Sequence, residues 1–375
     1  MTLLDTPVAV VDLDRLDRNL RRWQDHCDRV GLANRPHVKT HRSVEVACRQ
    51  LELGARGITC QKLGEAEVMA DAGVDDILVP YNIVGAEKLE RLGALAARVR
   101  LTVSVDDEAL LDGLAAAVDG PDELDVLVDC DTGLGRTGVR TPEQASLLAE
   151  AVARRDGLRF AGFLTYPAPS GAVAYLAAAA ERAARAGLAA EVVSAGGTPG
   201  MWASGELRPT VTEYRAGTYA FHDRSTVAAG AATIDDVALT VHATVVSRPA
   251  AERAVLDAGS KSLSSDPGPA PGFGTILEAP RSTIARLSEE HAVVELAAGE
   301  MLDLGQQVRI LPNHACVVAN LADELVAVEA GSEPRSLQEH HRRTREAVAV
   351  QGRLAVTPGD RASLDPEVPG GGSAL

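Results

Sequence analysis

The stretch Arg35-Pro36-His37-Val38-Lys39-Thr40-His41 places one lysine where a reactive amine could be delivered. Val38 and Pro36 favour an extended segment, and a helix is expected from Ser43 to Leu53, so Lys39 falls at the carboxyl end of a strand. In a barrel of parallel strands that end carries the chemistry. A lysine partly desolvated there loses proton affinity, and its free amine can form a Schiff base with a carbonyl or with pyridoxal phosphate. The plain alternative is a lysine that caps a strand and stays hydrated.

Three further stretches have the composition of ligand contacts. Asp131 to Gly138 follows a predicted strand, and its glycines let the backbone approach a ligand while Arg136 points inward. Ser194-Ala195-Gly196-Gly197-Thr198-Pro199 follows a later strand and exposes backbone N–H groups and a hydroxyl that could hold a phosphate. Arg215-Ala216-Gly217-Thr218 repeats the arrangement after the last strand, and phosphate sites in barrels come from the last two βα loops. Each could also be an ordinary turn. A fourth stretch, Pro312-Asn313-His314-Ala315-Cys316, sets an imidazole and a thiol two residues apart. On a strand such residues share a face, and a sulfur and nitrogen pair suits zinc while leaving positions for water and substrate. A buried cysteine beside a surface histidine is the competing reading.

These residues need a scaffold, and the chain supplies its rhythm. An apolar strand, Pro7 to Val11, precedes an amphipathic helix from about Leu13 to Val30 with Leu16, Leu20 and Trp23 on one face. Short apolar strands then recur near Pro36, Gly57 to Cys60, Ile77 to Pro80, Leu101 to Val105, Val126 to Asp129, Phe160 to Thr165, Glu191 to Ser194 and Val211 to Tyr214, mostly separated by Ala-, Leu- and Glu-rich helical stretches. About eight strands in a βα repeat make a closed parallel barrel the most economical fold. An open doubly wound sheet would carry a Gly-x-Gly-x-x-Gly turn after its first strand, which is missing here. From Ile234 to Ala327 the text turns strand-rich (Val237 to Arg248, Ala254 to Ala258, Ala292 to Leu296, Gln307 to Leu311, Cys316 to Asn320) with an irregular loop from Ser264 to Gly274. The expected division is a barrel over 1–230, a β-domain over 231–330, and a poorly ordered tail over 331–375 that includes a charged helix-like piece, Ser336 to Val348.

Composition narrows the partners. A chain of 375 residues, 46% hydrophobic, can bury a large core in two domains. A formal charge of −16 argues against nucleic acid and anionic membrane surfaces, leaving a small molecule as the expected partner. Met1-Thr2-Leu3-Leu4-Asp5 lacks the basic and apolar parts of an export signal, and no apolar run approaches bilayer length, so a cytoplasmic location is expected. The five cysteines, Cys27, Cys48, Cys60, Cys130 and Cys316, show no C-x-x-C pairing, which argues against disulfides or a structural zinc knuckle.

In combination and in order, Arg35 to His41, Asp131 to Gly138, Ser194 to Pro199, Tyr214 to Tyr219, Asp257 to Lys261, Ser288 to His291 and Pro312 to Cys316 resemble the D-threonine aldolase and D-serine dehydratase family, over roughly Asp5 to Ala327. The resemblance implies an alanine-racemase-like α/β fold of type III, with an N-terminal pyridoxal-phosphate-binding (β/α)8 TIM barrel followed by a C-terminal β-domain. It implies Lys39 as the Schiff-base lysine, Arg136 beside the cofactor ring, Tyr166 as an active-site tyrosine after the sixth strand, and Gly196, Gly197, Thr198, Gly217 and Thr218 around the phosphate, with Ser194 of the same turn expected among the cofactor contacts. Arg215 resembles the arginine that in alanine racemases faces the pyridine nitrogen and weakens the electron sink. His314 and Cys316 become the pair for a divalent metal, zinc first, manganese or magnesium as alternatives. The implied substrates are D-amino acids bearing a β-hydroxyl, cleaved to glycine and an aldehyde or dehydrated to a 2-oxo acid and ammonia. A His and Cys pair resembles the dehydratases, whereas aldolases more often pair His with Asp, so elimination is favoured. A racemase, which needs no metal, and a non-catalytic cofactor-binding protein, which could dispense with His314 and Cys316, are the competing classes. The fold commonly forms homodimers whose β-domain completes the neighbouring site. Pro167-Ala168-Pro169-Ser170 departs from the Gly and His pair of many aldolases at that loop.

Overall fold

The structure is a computed structural model that describes residues 4–118, 123–330 and 332–337. Its eight-stranded parallel sheet joins β2 (Ala33–Asn34), β3 (Ile58–Thr59), β4 (Asp76–Val79), β5 (Arg100–Val105), β6 (Leu124–Cys130), β7 (Leu158–Thr165), β8 (Val192–Ala195) and β9 (Glu213–Tyr214), in the order 2-9-8-7-6-5-4-3. A parallel bridge between His37 and Thr59 carries the pairing round from β2 to β3, with the Thr59 N–H donating to Pro36 O at 2.8 Å. All eight strands lie on or beside their predicted positions. They were legible because parallel strands buried on both faces read as continuous apolar runs; β7, Leu-Arg-Phe-Ala-Gly-Phe-Leu-Thr, is buried almost throughout.

Helices α2 (Val44–Glu52), α3 (Leu63–Asp71), α4 (Ala86–Ala96), α5 (Leu111–Ala117), α6 (Pro142–Ala153) and α7 (Ala172–Arg185) follow β2 to β7 in turn. The long helix α1 (Leu13–Val30) occupies the predicted span. Asp12 caps it by accepting from Arg15 N, and Gly31 ends it in the left-handed region at φ 71°, its N–H reaching Asp28 O and Cys27 O. Leu16, Leu20 and Trp23 are buried along one face, each contributing about 1.5–3 kcal/mol of transfer free energy.

The second sheet runs β13-β14-β11-β10-β1-β16-β17, with β15 pairing both β10 and β12. Its members are β1 (Val8–Asp12), β10 (Leu239–Ala250), β11 (Arg253–Leu256), β12 (Thr275–Ile276), β13 (Thr283–Leu287), β14 (Ala292–Glu295), β15 (Gln307–Leu311), β16 (Val326–Val328) and β17 (Arg335–Ser336). Position in the chain grouped β1 with the barrel; its ladders, antiparallel to β10 and parallel to β16, place it in this sheet. Short helices α8 (Arg224–Ala228), α9 (Ser260–Leu263) and α10 (Ala315–Leu321) complete the α-helices among the described residues, and 3₁₀ helices such as Thr198–Leu207 fill connections between elements.

Two expectations change here. Cys316 to Asn320 is not a strand but most of α10. Ala-Cys-Val-Val-Ala is a short apolar run, which periodicity alone assigns to neither state. The opening of the expected disordered tail is ordered: β17 pairs with β16 and Arg335 Nη1 bonds Glu45 Oε2 at 2.9 Å. Residues 338–375, including most of the helix expected over Ser336 to Val348, lie outside the described residues. Among the described residues no helix is long and apolar enough to cross a membrane.

Candidate active site

The carboxyl ends of the barrel strands converge on a cleft that is open to solvent. Lys39 enters from a 3₁₀ turn, Val38–Thr40, that follows β2; Gln61 follows β3, Arg136 follows β6, Tyr166 follows β7, Gly196, Gly197 and Thr198 follow β8, and Arg215, Gly217 and Thr218 follow β9. Thus Lys39 sits one turn beyond its strand rather than on its last residue.

Lys39 Nζ donates to Gln61 Oε1 at 3.5 Å, and the same oxygen lies 3.1 Å from His37 Nε2. Because that oxygen can only accept, Nε2 carries the imidazole proton. Burial pulls the Lys39 pKa below its ordinary value; Cys316 opposes this, while Arg136 and Arg215 reinforce it. His37 is pushed well below the usual imidazole range by burial, then by Lys39 and Arg215, and stays neutral. Behind them Glu65 accepts from Gln61 N at 2.7 Å and pairs with Arg42 Nε at 3.1 Å. Arg42 also donates to Asn320 on α10.

The turns after β8 and β9 form one cradle, since the Tyr219 N–H donates to Thr198 Oγ1 at 3.1 Å. Gly196 adopts φ +83°, and a Cβ there would fall 2.1 Å from the Tyr214 ring; at Gly197 it would meet the Tyr166 ring at 2.6 Å, and at Gly217 the His37 carbonyl at 2.9 Å. Side chains at these three positions would collide with those neighbours, so glycine lets the turns pack closely and present their backbone to the cleft, an arrangement that fits a phosphate. Arg136 Cζ lies 5.6 Å from the centroid of the half-exposed Tyr166 ring, and its loop is ordered by Asp131 Oδ1, which accepts from Gly133 N and Gly135 N.

Arg215 is buried and held from behind: Nη1 donates to Ser194 Oγ at 2.6 Å and Nη2 to Thr165 O at 2.7 Å. Ser194, expected at the cofactor, does not line the cleft; its hydroxyl donates to Glu213 Oε1 at 2.6 Å. Glu213 in turn accepts from Arg35 Nε at 2.7 Å, and Arg35 reaches Asp76 at 2.6 Å. Ser194 therefore links the Arg215 guanidinium to a buried charge network.

His314 immediately precedes α10 without capping it through its side chain, and Cys316 is the second residue of that helix. The expectation that a strand would align them fails, yet they meet at the helix start, where the hydrogen bond to Asp223, then that to Cys316, raise the His314 pKa to about 10. Asp223, fully buried, accepts from Ala315 N at 3.0 Å and Thr226 N at 2.8 Å and lies 3.1 Å from His314 Nδ1. Cys316 Sγ lies 3.2 Å from Thr40 Oγ1 and 3.5 Å from Thr218 Oγ1, which brings the thiol against both the lysine turn and the cradle. Burial opposes its ionisation, but His314 and the two threonines outweigh burial and lower its pKa. An imidazole oriented through Nδ1 by a carboxylate, beside a favoured thiolate, fits a soft divalent cation. Among the described residues no group of three or more His, Cys, Asp and Glu is arranged to hold an ion, so the protein would supply two ligands.

Asp223, Gln61 and Thr40 were not singled out in the sequence. Asp223 had one local signal, the helix-start spacing Asp223-x-x-Thr226.

A parallel barrel with a strand-end lysine, a glycine cradle on its last two turns and a second sheet domain defines the alanine-racemase-like class of pyridoxal-phosphate proteins. Residues 11–225 match the alanine racemase N-terminal domain, and residues 238–328 match a putative serine dehydratase domain. The D-threonine aldolase of an Arthrobacter species is 38% identical, covering 88% of this chain and 90% of that protein. The D-threo-3-hydroxyaspartate dehydratase of Delftia sp. strain HT23 is 37% identical, covering 84% and 91%. The crystal structure of D-threonine aldolase from Filomicrobium marinum superposes with a TM-score of 0.78 at 34% identity, covering 89% and 94%. The chain belongs to the D-threonine aldolase and D-serine dehydratase family.

Proposed function

We propose that this protein is a lyase of D-3-hydroxy amino acids that works with pyridoxal phosphate and a divalent metal, zinc fitting the His314 and Cys316 donors better than manganese or magnesium. When bound, the cofactor supplies an electron sink for charge at Cα and the metal a Lewis acid for the β-hydroxyl. Lys39 is the Schiff-base residue, and its lowered proton affinity keeps the amine available to take the Cα proton as the β-hydroxyl leaves as water. Gly196, Gly197, Thr198, Gly217 and Thr218 receive the phosphate. Arg215, fixed by Ser194 and Thr165, presents a charge that does not move, while Arg136 and Tyr166 shape the mouth of the cleft. Asp223 fixes the His314 ring, and the Thr40 and Thr218 hydroxyls lie within hydrogen-bond distance of the Cys316 sulfur.

One observation carries the reading: Cys316, in the second domain, touches Thr40 beside Lys39 and Thr218 in the cradle, so a metal held there would adjoin the lysine turn and the cradle rather than a remote surface. Racemisation needs no metal pair, and alanine racemases resemble this chain at 14–18% identity, in fold alone. A relative that is a dehydratase has been solved as a cysteine-to-alanine mutant in the metal-free form, which supports the cysteine as ligand. The aldolase and the dehydratase relatives are nearly equal in identity; the thiol ligand favours elimination. Exposed Tyr81 and Val84 follow β4, and exposed Leu134, which lines the cleft, follows β6; we place a second copy against these residues as a homodimer. Mass spectrometry of products from D-serine, D-threonine and 3-hydroxy-D-aspartate tests the assignment: 2-oxo acid and ammonia support elimination, glycine with an aldehyde supports cleavage, and conversion only to the L-enantiomer contradicts a lyase.

A further inference from the structure

The segment Ser264 to Gly274 has neither helix nor strand, yet it is fastened at several points. Asn313 Nδ2 donates to Asp266 O at 3.1 Å and to Gly272 O at 3.0 Å, while Asn313 Oδ1 accepts from Arg224 Nη1 at 2.6 Å. Two carbonyls on one side of the amide and a guanidinium on the other allow a single orientation of Asn313. Arg224 reaches the same loop, at Gly272 O (3.4 Å) and Pro271 O (3.3 Å). Asn313 is 2% exposed, so losing its partners would strand buried polar groups.

The residues that grip the loop are the chain neighbours of the metal corner. Asn313 immediately precedes His314, and Arg224 immediately follows Asp223. The two segments are also joined to each other, Arg224 N to Pro312 O at 3.1 Å and Ser225 Oγ to Asn313 O at 2.9 Å. At Gly268 the loop backbone lies flat on the amide: a Cβ there would fall 2.6 Å from Asn313 Oδ1 and 2.8 Å from Nδ2.

We propose that the Ser264–Gly274 loop is a clamp on the metal pair, with Asn313 as the positioning residue that transmits the loop's hold to the backbone of His314. This rests on the reading of His314 and Cys316 as metal ligands. A ligand whose backbone is fixed on one side by the clamp and whose ring is fixed on the other by Asp223 loses little freedom when it takes up a metal. The loop therefore sets metal affinity without touching the metal, and Gly268, whose backbone lies against the Asn313 amide, becomes sensitive.

Zinc titration of chelator-stripped protein that retains pyridoxal phosphate tests this in Asn313→Ala, Asn313→Asp and Gly268→Ala. Outer-shell changes of this kind cost about 10–100-fold in metal affinity, and that loss is expected for Asn313→Ala and Gly268→Ala with cofactor content unchanged. Asn313→Asp, which keeps the acceptor for Arg224 but lacks the two donors, should fall between. Zinc affinity within about twofold of the parent in both Asn313→Ala and Gly268→Ala would overturn the clamp, as would zinc and cofactor lost in equal proportion, which marks general unfolding. Parent protein that takes up no zinc would instead overturn the metal assignment itself.

Discussion

Thr40 and Cys316 touch, yet the regions they belong to have opposite electrostatic characters. On the barrel side, burial and two arginines lower the proton affinity of Lys39, and His37 beside it is held neutral. On the second-domain side, Asp223 and then Cys316 raise His314 to about 10. One side is built to free a base and the other to hold positive charge. A divalent cation can take the place of the His314 proton, because metal binding displaces protons from its ligands. The difference comes from partners rather than exposure alone: Lys39 faces an amide oxygen, whereas His314 faces a carboxylate that is itself held by Ala315 and Thr226 N–H groups.

The comparison breaks most sharply at Lys39. Lys39→Ala should abolish borohydride-reducible attachment of pyridoxal phosphate and lower turnover by roughly 10²–10⁴-fold, while zinc still binds. On the other side, Cys316→Ala should weaken zinc by more than about 100-fold and leave the cofactor in place, measured by metal content and cofactor absorbance. Cys316→Asp sharpens the contrast: a harder ligand should shift preference toward manganese or magnesium and raise glycine relative to 2-oxo acid among the products. Unchanged zinc content and turnover in Cys316→Ala would remove the metal site.

Beneath the cleft, Glu213 holds both Arg35 and Ser194. Glu213→Ala should cost about 3–5 kcal/mol in denaturant unfolding, because it leaves buried cations less compensated. The smallest effect is acid sensitivity. Burial lowers the pKa of His41 from 6.5 to about 4, so the unfolded chain takes up a proton in that window and the folded chain does not. Stability should therefore be complete above pH 6.5 and decline toward pH 4, by about 1.4 kcal/mol per pH unit from this group. His41→Gln should flatten that slope, read from unfolding midpoints at several pH values.

Much of this scaffold could be read directly. The barrel strands announced themselves as apolar runs, and α1 carried its own start and stop in Asp12 and Gly31. His314 and Cys316 were paired as candidate metal ligands on a geometry that does not hold, since Cys316 lies on a helix; the residues converge because a helix begins between them. Asp223 stayed hidden because its contact with His314 spans 91 positions, and no local pattern encodes a partner that far away. Ser194 was placed at the cofactor by its turn, whereas its hydroxyl points back to Glu213. Local chemistry is legible in sequence; which buried partner a polar group meets is decided by packing between distant segments.

The most direct test is to strip the holoprotein with a chelator, confirm that pyridoxal phosphate remains, and follow product release from D-serine and D-threonine as zinc is added back. The expected result is that lyase products are absent without zinc and rise in proportion to occupancy, with Cys316→Ala unresponsive over the same range. Full lyase activity in metal-free protein, or chelator-resistant D-to-L interconversion as the only reaction, would contradict the account.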